Sequence, residues 1–128
     1  MRNPPVGFGI VSTGSIAQAF ASAVKKCRGA RVVAVSSRSL EKAQTFAKAF
    51  RAKAYDSVEA MVADPRVEVV YVGTPHVHHC ENALTALSAG KAVLCEKPLG
   101  LNVGEVKRMV KEARARKLFL MEGMWTRF

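Results

Sequence analysis

The most constraining feature of this chain is an alternation that runs its whole length. Short apolar, β-rich runs take turns with stretches whose apolar residues recur at helical spacing. Val6 to Val11 is the first such run; it ends in Ser12-Thr13-Gly14, and from Ser15 to Lys26 the residues Ile16, Ala19, Phe20, Ala23 and Val24 lie on one helical face. Arg31 to Ser36 reads as a buried strand, and a helix follows from Leu40 to Phe50 with Ser39 as its N-cap. Lys53 to Tyr55 is a weak third strand, and Val58 to Val62 is a short helix capped by Asp56 or Ser57 and stopped by Asp64-Pro65. Val67 to Val72 and Ala92 to Cys95 are further strands, separated by a helix from His79 to Ser88 that Gly90 closes. A long helix from Val103 to Lys117, with Asn102 near its cap, leads to a last strand from Leu118 to Met121. Strand–helix alternation of this kind specifies βαβ units and a parallel sheet. Because parallel crossovers are right-handed, six such strands predict an α/β, doubly wound, three-layer sheet in the order 3-2-1-4-5-6, the Rossmann arrangement.

The 128 residues fit one domain, expected to span 1–128, and 49% hydrophobic content is ordinary for a globular core. No run approaches the ~18–20 apolar residues of a membrane span, and Met-Arg-Asn-Pro-Pro offers no apolar signal-peptide core. Cys27, Cys80 and Cys95 are odd in number and lack C-x-x-C spacing, which argues against a disulfide framework or a zinc site. A reducing, cytoplasmic setting is therefore expected. The net charge of +10 admits nucleic acid, an acidic membrane or a phosphorylated small molecule as partner.

Ligands of such sheets bind at the carboxyl ends of the strands, so the loops there carry the functional information. After the first strand, Gly9-Ile10-Val11-Ser12-Thr13-Gly14-Ser15-Ile16-Ala17 falls on the dinucleotide fingerprint G-x-G-x-x-G/A, with Ser12 in the first position, Gly14 in the middle and Ala17 in the last. The middle position governs phosphate access to the amides of the helix N-terminus, and Gly14 keeps it open. A glycine-containing turn with no ligand competes with this reading on the motif alone, whereas its place between strand and helix favours a dinucleotide. Gly9, Ser12, Thr13, Gly14, Ser15 and Ile16 are the contacts expected here.

The second strand ends in Ser36-Ser37-Arg38-Ser39, where an NAD site would present a carboxylate to the ribose hydroxyls. Small hydroxyl residues followed by arginine instead suit a 2′-phosphate, with Ser37, Arg38 and Lys42 as its ligands, and so point to NADP. The fourth strand ends in Gly73-Thr74-Pro75-His76-Val77-His78-His79. Three histidines so close together cannot all face one ion, and no further ligand lies at metal spacing, so no metal is expected. The loop better suits packing against the nicotinamide ribose. The fifth strand runs into Glu96-Lys97-Pro98, and an acid–base pair at a central strand end is costly to bury unless paired or used. A desolvated Lys97 would suit proton exchange with a substrate hydroxyl or carbonyl, and Pro98 permits a cis peptide before it. A surface lysine at a turn remains the alternative.

Taken together, Ser12-Thr13-Gly14-Ser15-Ile16-Ala17, Ser37-Arg38-Ser39, Thr74-Pro75-His76 with His79, and Ala89-Gly90-Lys91 leading into Glu96-Lys97-Pro98 resemble the cofactor domain of the glucose-fructose oxidoreductase / inositol dehydrogenase (Gfo/Idh/MocA) family. The stretch from Leu118 to Phe128 resembles its NADP-dependent dihydrodiol and D-xylose dehydrogenase branch. The resemblance implies hydride transfer between NADP(H) and a hydroxyl or carbonyl carbon of a sugar or cyclic diol. It also implies that Lys97 is the catalytic lysine, that Glu96 helps position the nicotinamide, and that Thr74, Pro75, His76, His79, Trp125 and Arg127 lie against the cofactor. His76 stands where most of the wider family has asparagine, in keeping with the narrower branch. Family members continue into a second α/β domain that builds the substrate pocket and the oligomer interface, so this chain is expected to be the cofactor half of such an enzyme.

Two other readings compete. A stand-alone dinucleotide-sensing module would dock through the apolar segment from Leu118 to Phe128. Nucleic-acid binding would rest on Lys107, Arg108, Lys111, Arg114, Arg116 and Lys117, yet Glu105 and Glu112 interrupt them and no aromatic stacking set accompanies them, so a solvated helix face is the expectation.

Overall fold

The computed structural model describes residues 3–124. Its elements follow in the order β1 (Val6–Val11), α1 (Ser15–Lys25), β2 (Ala30–Ser36), α2 (Leu40–Phe50), β3 (Lys53–Tyr55), α3 (Val58–Val62), β4 (Val69–Val72), a 3-10 turn (His76–His78), α4 (His79–Ser88), β5 (Ala92–Glu96), α5 (Val103–Ala115) and β6 (Leu120–Gly123). The strands form one six-stranded sheet in the order β3-β2-β1-β4-β5-β6, parallel at every pairing, as the alternation predicts. The order reverses between β1 and β4, which opens a crevice at their carboxyl ends.

Local chemistry explains most element boundaries. Ser39, Ser57 and Asn102 each accept a hydrogen bond from an amide of the following first turn, starting α2, α3 and α5. Gly90, at φ +80°, donates from its amide to Leu87 and closes the turn after α4. Two strands start two residues later than the sequence expectation. The Val67 amide is used in a turn to Asp64, so the chain bonds to β1 only from Glu68, whose amide donates to Gly7, and β4 runs from Val69. The last strand starts at Leu120, because Lys117 takes a left-handed conformation at φ 55° and Leu118 donates back to Ala113, so both finish the helix.

Two apolar layers flank the sheet. Ala17, Ala21 and Val24 of α1 and Phe46 and Ala47 of α2 cover one face with Ile10, Val35 and Tyr71. Met61, Val62, Cys80, Ala83, Leu87, Met109 and Ala113 from α3, α4 and α5 cover the other with Val33, Val70, Val72 and Val93. Each fully buried large side chain, such as Leu87 or Ile10, contributes about 1.5–3 kcal/mol of transfer free energy.

Polar groups fasten the amino ends of β1 and β4 and tie them to the last residue of β3. Asp64 accepts from the Arg66 amide and guanidinium and from the Tyr55 hydroxyl at 2.7–3.1 Å, and Glu68 accepts from the Gly7 amide at 2.7 Å. Gly7 is required there, since a Cβ would stand 2.1 Å from the Arg66 carbonyl oxygen.

Candidate functional site

The crevice at the switch point is a cleft of about 670 Å³. On one side it is lined by Val11, Ser12, Thr13 and the run Ser36, Ser37, Arg38, Ser39 with Lys42. Asp56, Ser57, Val58 and Glu59 form a second wall, and Thr74, Pro75, His78, Glu81 and Asn82 a third.

The turn from β1 into α1 is built to receive an anion. Ser12 adopts φ 109°, the backbone region where the fingerprint ordinarily places glycine, and its Oγ accepts from the Gly14 amide at 3.1 Å. Holding a serine there costs of order 1–3 kcal/mol. Helix α1 then starts with no side-chain cap and no acidic residue in its first turn, leaving its N-terminal amides to an outside acceptor. Gly14 has φ −73° and ψ 178°, which any residue adopts, and a Cβ would meet nothing nearer than the Ser12 Oγ at 3.5 Å. Neither conformation nor internal packing requires glycine there. Glycine leaves the N-cap position of α1, next to the lining residues Ser12 and Thr13, without a side chain.

Beside it, Ser37 accepts from the Ser39 amide at 3.2 Å and Ser39 from the Lys42 amide at 3.3 Å. These bonds fix the lead-in to α2 and hold exposed Arg38 and Lys42 at the cleft. The residues present therefore fit a dinucleotide carrying a phosphate on its adenosine ribose: open amides for the pyrophosphate, two cations for the additional phosphate, and no carboxylate at the end of β2.

The histidine-bearing loop divides its three rings. His78 lines the cleft, while His76 is exposed and stands 5.5 Å, centroid to centroid, from the His79 ring. His79, expected against the cofactor, is 0% exposed; its Nδ1 lies 2.7 Å from the Pro98 carbonyl oxygen and its Nε2 3.0 Å from that of Thr74. It braces the two loops from behind instead of lining the cleft. Among the described residues no cluster of three or more His, Cys, Asp or Glu has a metal-holding arrangement.

Glu96 ends β5, and its Oε1 accepts from the Tyr71 hydroxyl at 2.7 Å. The Lys97–Pro98 peptide is cis, and the next amide, Leu99, donates to Glu122 of β6 at 2.8 Å. Lys97 itself is exposed, so the described residues do not supply the desolvation expected for it. Gly9 is also placed differently from the expectation. It is buried within β1, where a Cβ would press on Met61 and Val67, so it serves packing beneath α3. Ser15 and Ile16 open α1 directly after Gly14, and Trp125 and Arg127 lie outside the described residues.

Several site features were missed in the sequence. The wall from Asp56 to Glu59 comes from the lead-in and first turn of a short helix with no motif, and His78, Glu81 and Asn82 line the cleft from the 3-10 turn and the first turn of α4. Tyr71 carried a signal: a tyrosine in an otherwise aliphatic buried strand needs a polar partner for its hydroxyl.

Comparison with known proteins agrees with this geometry. Residues 6–124 match the model of the Gfo/Idh/MocA oxidoreductase family, NAD-binding Rossmann fold. The chain belongs to this family. Among family relatives, trans-1,2-dihydrobenzene-1,2-diol dehydrogenase of Sus scrofa is 50% identical over 124 residues, covering 94% of this chain and 37% of that protein. D-xylose 1-dehydrogenase (NADP(+)) of Hypocrea jecorina is 45% identical over 134 residues, covering 94% and 34%. A 3-ketoreductase from Actinomadura kijaniata, solved with NADP and TDP-benzene, superposes with a TM-score of 0.89 at 34% identity, over 93% of this chain and 37% of that one. The chain thus spans little more than a third of the length of the relatives it matches.

Proposed function

We propose that this chain is the NADP-binding half of an oxidoreductase that moves a hydride between NADP(H) and a hydroxyl or carbonyl carbon of a sugar or cyclic diol. The observation that carries the NADP reading is Ser37-Arg38 with Lys42, held by serine caps at the cleft where an NAD site would present a carboxylate. The NADP(+) in the name of the xylose dehydrogenase and the NADP bound to the ketoreductase support it.

When bound, NADP(H) supplies or accepts the hydride; the chain's own residues hold it and handle protons. Ser12, Thr13, Gly14 and the first amides of α1 bind the pyrophosphate, and Arg38 and Lys42 the 2′-phosphate, where a planar guanidinium offers paired donors. Thr74 and Pro75 flank the nicotinamide side, with Glu96 and Lys97 at the neighbouring strand end. Lys97 exchanges a proton with the substrate oxygen as that oxygen gains or loses charge, and a covering surface over this exposed side chain would sharpen the transfer by excluding water. That surface, the substrate pocket and the oligomer contacts are assigned to a second domain, in keeping with the chain's share of its relatives' length. No described helix is long and apolar enough to cross a membrane. Three unpaired cysteines, two of them buried, support a reducing, cytoplasmic setting.

Titration of the chain with NADPH, followed by cofactor fluorescence, tests this reading. Saturable binding in the micromolar range, with NADH weaker, is expected. Absence of binding at high micromolar cofactor, or equal binding of NADH, overturns it. Arg38→Asp should weaken NADPH at least tenfold more than NADH, since it removes a charge-assisted contact made only to the 2′-phosphate.

A further inference from the structure

One polar atom in the cleft has no partner. Ser36 ends β2 on the cleft lining, is 1% exposed, and its Oγ makes no hydrogen bond among the described residues. Its backbone is engaged: the carbonyl accepts from the Ser12 amide at 3.0 Å, and the strand is paired on both sides, with Val11 and Tyr55 opposite. The other four serines of the lining each hold a backbone amide: Ser12 that of Gly14, Ser37 that of Ser39, Ser39 that of Lys42 and Ser57 that of Ala60. Their hydroxyls have structural duties. Ser36 has none, although a buried hydroxyl without a partner destabilises a chain and native structures rarely keep one. Alanine would fit the same space without that cost.

We propose that Ser36 is a cofactor contact, its hydroxyl hydrogen-bonding the adenosine end of the dinucleotide. Ser36 shares the lining with Arg38, Lys42, Asp56, Ser57 and Val58 and pairs in the sheet with Tyr55, the residue before Asp56, and neither Glu96 nor Lys97 belongs to that lining. It thereby serves the half of the ligand remote from the reacting carbon. The proposal rests on the NADP reading above and adds a residue to it.

The test is Ser36→Ala in the full 128-residue chain, probed with NADPH and with adenosine 2′,5′-bisphosphate, which carries only the adenosine end. Loss of one net hydrogen bond weakens both probes by the same factor, about 3- to 10-fold. The melting temperature of the ligand-free variant stays level or rises by a few degrees, since an unsatisfied buried group has been removed. Opposite signs for affinity and stability are what a packing role would not produce. Unchanged affinity for both probes, with the hydroxyl serving only water, overturns the proposal, and so does a lower melting temperature. If the wild-type chain binds neither probe, the NADP reading itself falls; if it binds both and Ser36→Ala binds equally well, only the role of Ser36 falls.

Discussion

The Tyr71 hydroxyl donates to Glu96 Oε1 at 2.7 Å, tying the middle of β4 to the end of β5 one residue before Lys97. The Tyr71 ring is stacked on Phe20, with centroids 3.9 Å apart and planes 3° from parallel. Burial, with the Glu96 carboxylate beside it, pushes the hydroxyl well above its ordinary range, so it stays a donor at any working pH. Tyr71→Phe keeps the stack and removes only the donor. It should cost about 1–3 kcal/mol in urea unfolding, because a half-buried carboxylate oxygen loses a partner. A change below about 0.5 kcal/mol would mean that the bond contributes nothing to holding the strand end.

Asp64 makes stability depend on pH. The Arg66 guanidinium hydrogen-bonded to it holds its carboxyl well below the usual carboxylate range, outweighing the opposing effect of burial. A group whose folded-state pKa is depressed contributes stability above its unfolded value of about 4 and loses it as the pH falls below that. Asp64→Asn should therefore cost about 1–3 kcal/mol at pH 7 and flatten the loss of stability between roughly pH 4 and pH 2. Urea unfolding at a series of pH values reads both effects.

Two glycines of the first βα unit should respond in opposite ways. Gly9→Ala places a Cβ 2.9 Å from Met61 Cε and 3.1 Å from Val67 Cγ1; methionine can shift, whereas Val67 is confined in the core. About 1–3 kcal/mol of stability is lost, with the cofactor affinity of the folded fraction retained. Gly14→Ala meets no clash, so its melting temperature is unchanged, yet the methyl group is added at the N-cap position proposed to receive the pyrophosphate, and NADPH affinity falls at least tenfold. Calorimetry and cofactor titration on the same two variants separate these outcomes.

The three thiols should differ sharply in reactivity. Cys27 is exposed, whereas burial pushes the Cys95 thiol up to about 12 and raises Cys80 as well. Native protein at pH 8 should take up one equivalent of iodoacetamide, at Cys27, and three only after unfolding. Peptide mass mapping that finds Cys95 modified in the folded chain would contradict its burial.

Sheet order and nearly every helix start were legible because they rest on short-range chemistry: serine and asparagine caps, a closing glycine, and apolar runs of the right period. The cation pair at the end of β2 was legible for the same reason, since Arg38, Ser39 and Lys42 are close in the chain. The role of His79 was not. A histidine beside a turn looks the same in sequence whether its ring faces a ligand or two carbonyls, and only the arrival of Pro98 from 19 residues away decides between them. Ser36 and Ser37 were likewise read together as small hydroxyl residues. Ser36 closes β2 and Ser37 opens the loop after it, so that one hydroxyl holds the Ser39 amide and the other is left unpaired in the cleft.

The polar fastening of Asp64, Arg66, Glu68 and Gly7 lies at the amino ends of β1 and β4, reached by the Tyr55 hydroxyl from the end of β3, with the cleft at the carboxyl ends of the strands. None of these five residues lines the cleft, so natural selection can act on the two sets separately. Drift at the fastened end alters how long a copy of the protein survives in the cell without changing its choice of cofactor, and drift at the loops retunes that choice on an unaltered frame. A lineage of such domains can therefore diversify in chemistry while inheriting one reserve of stability.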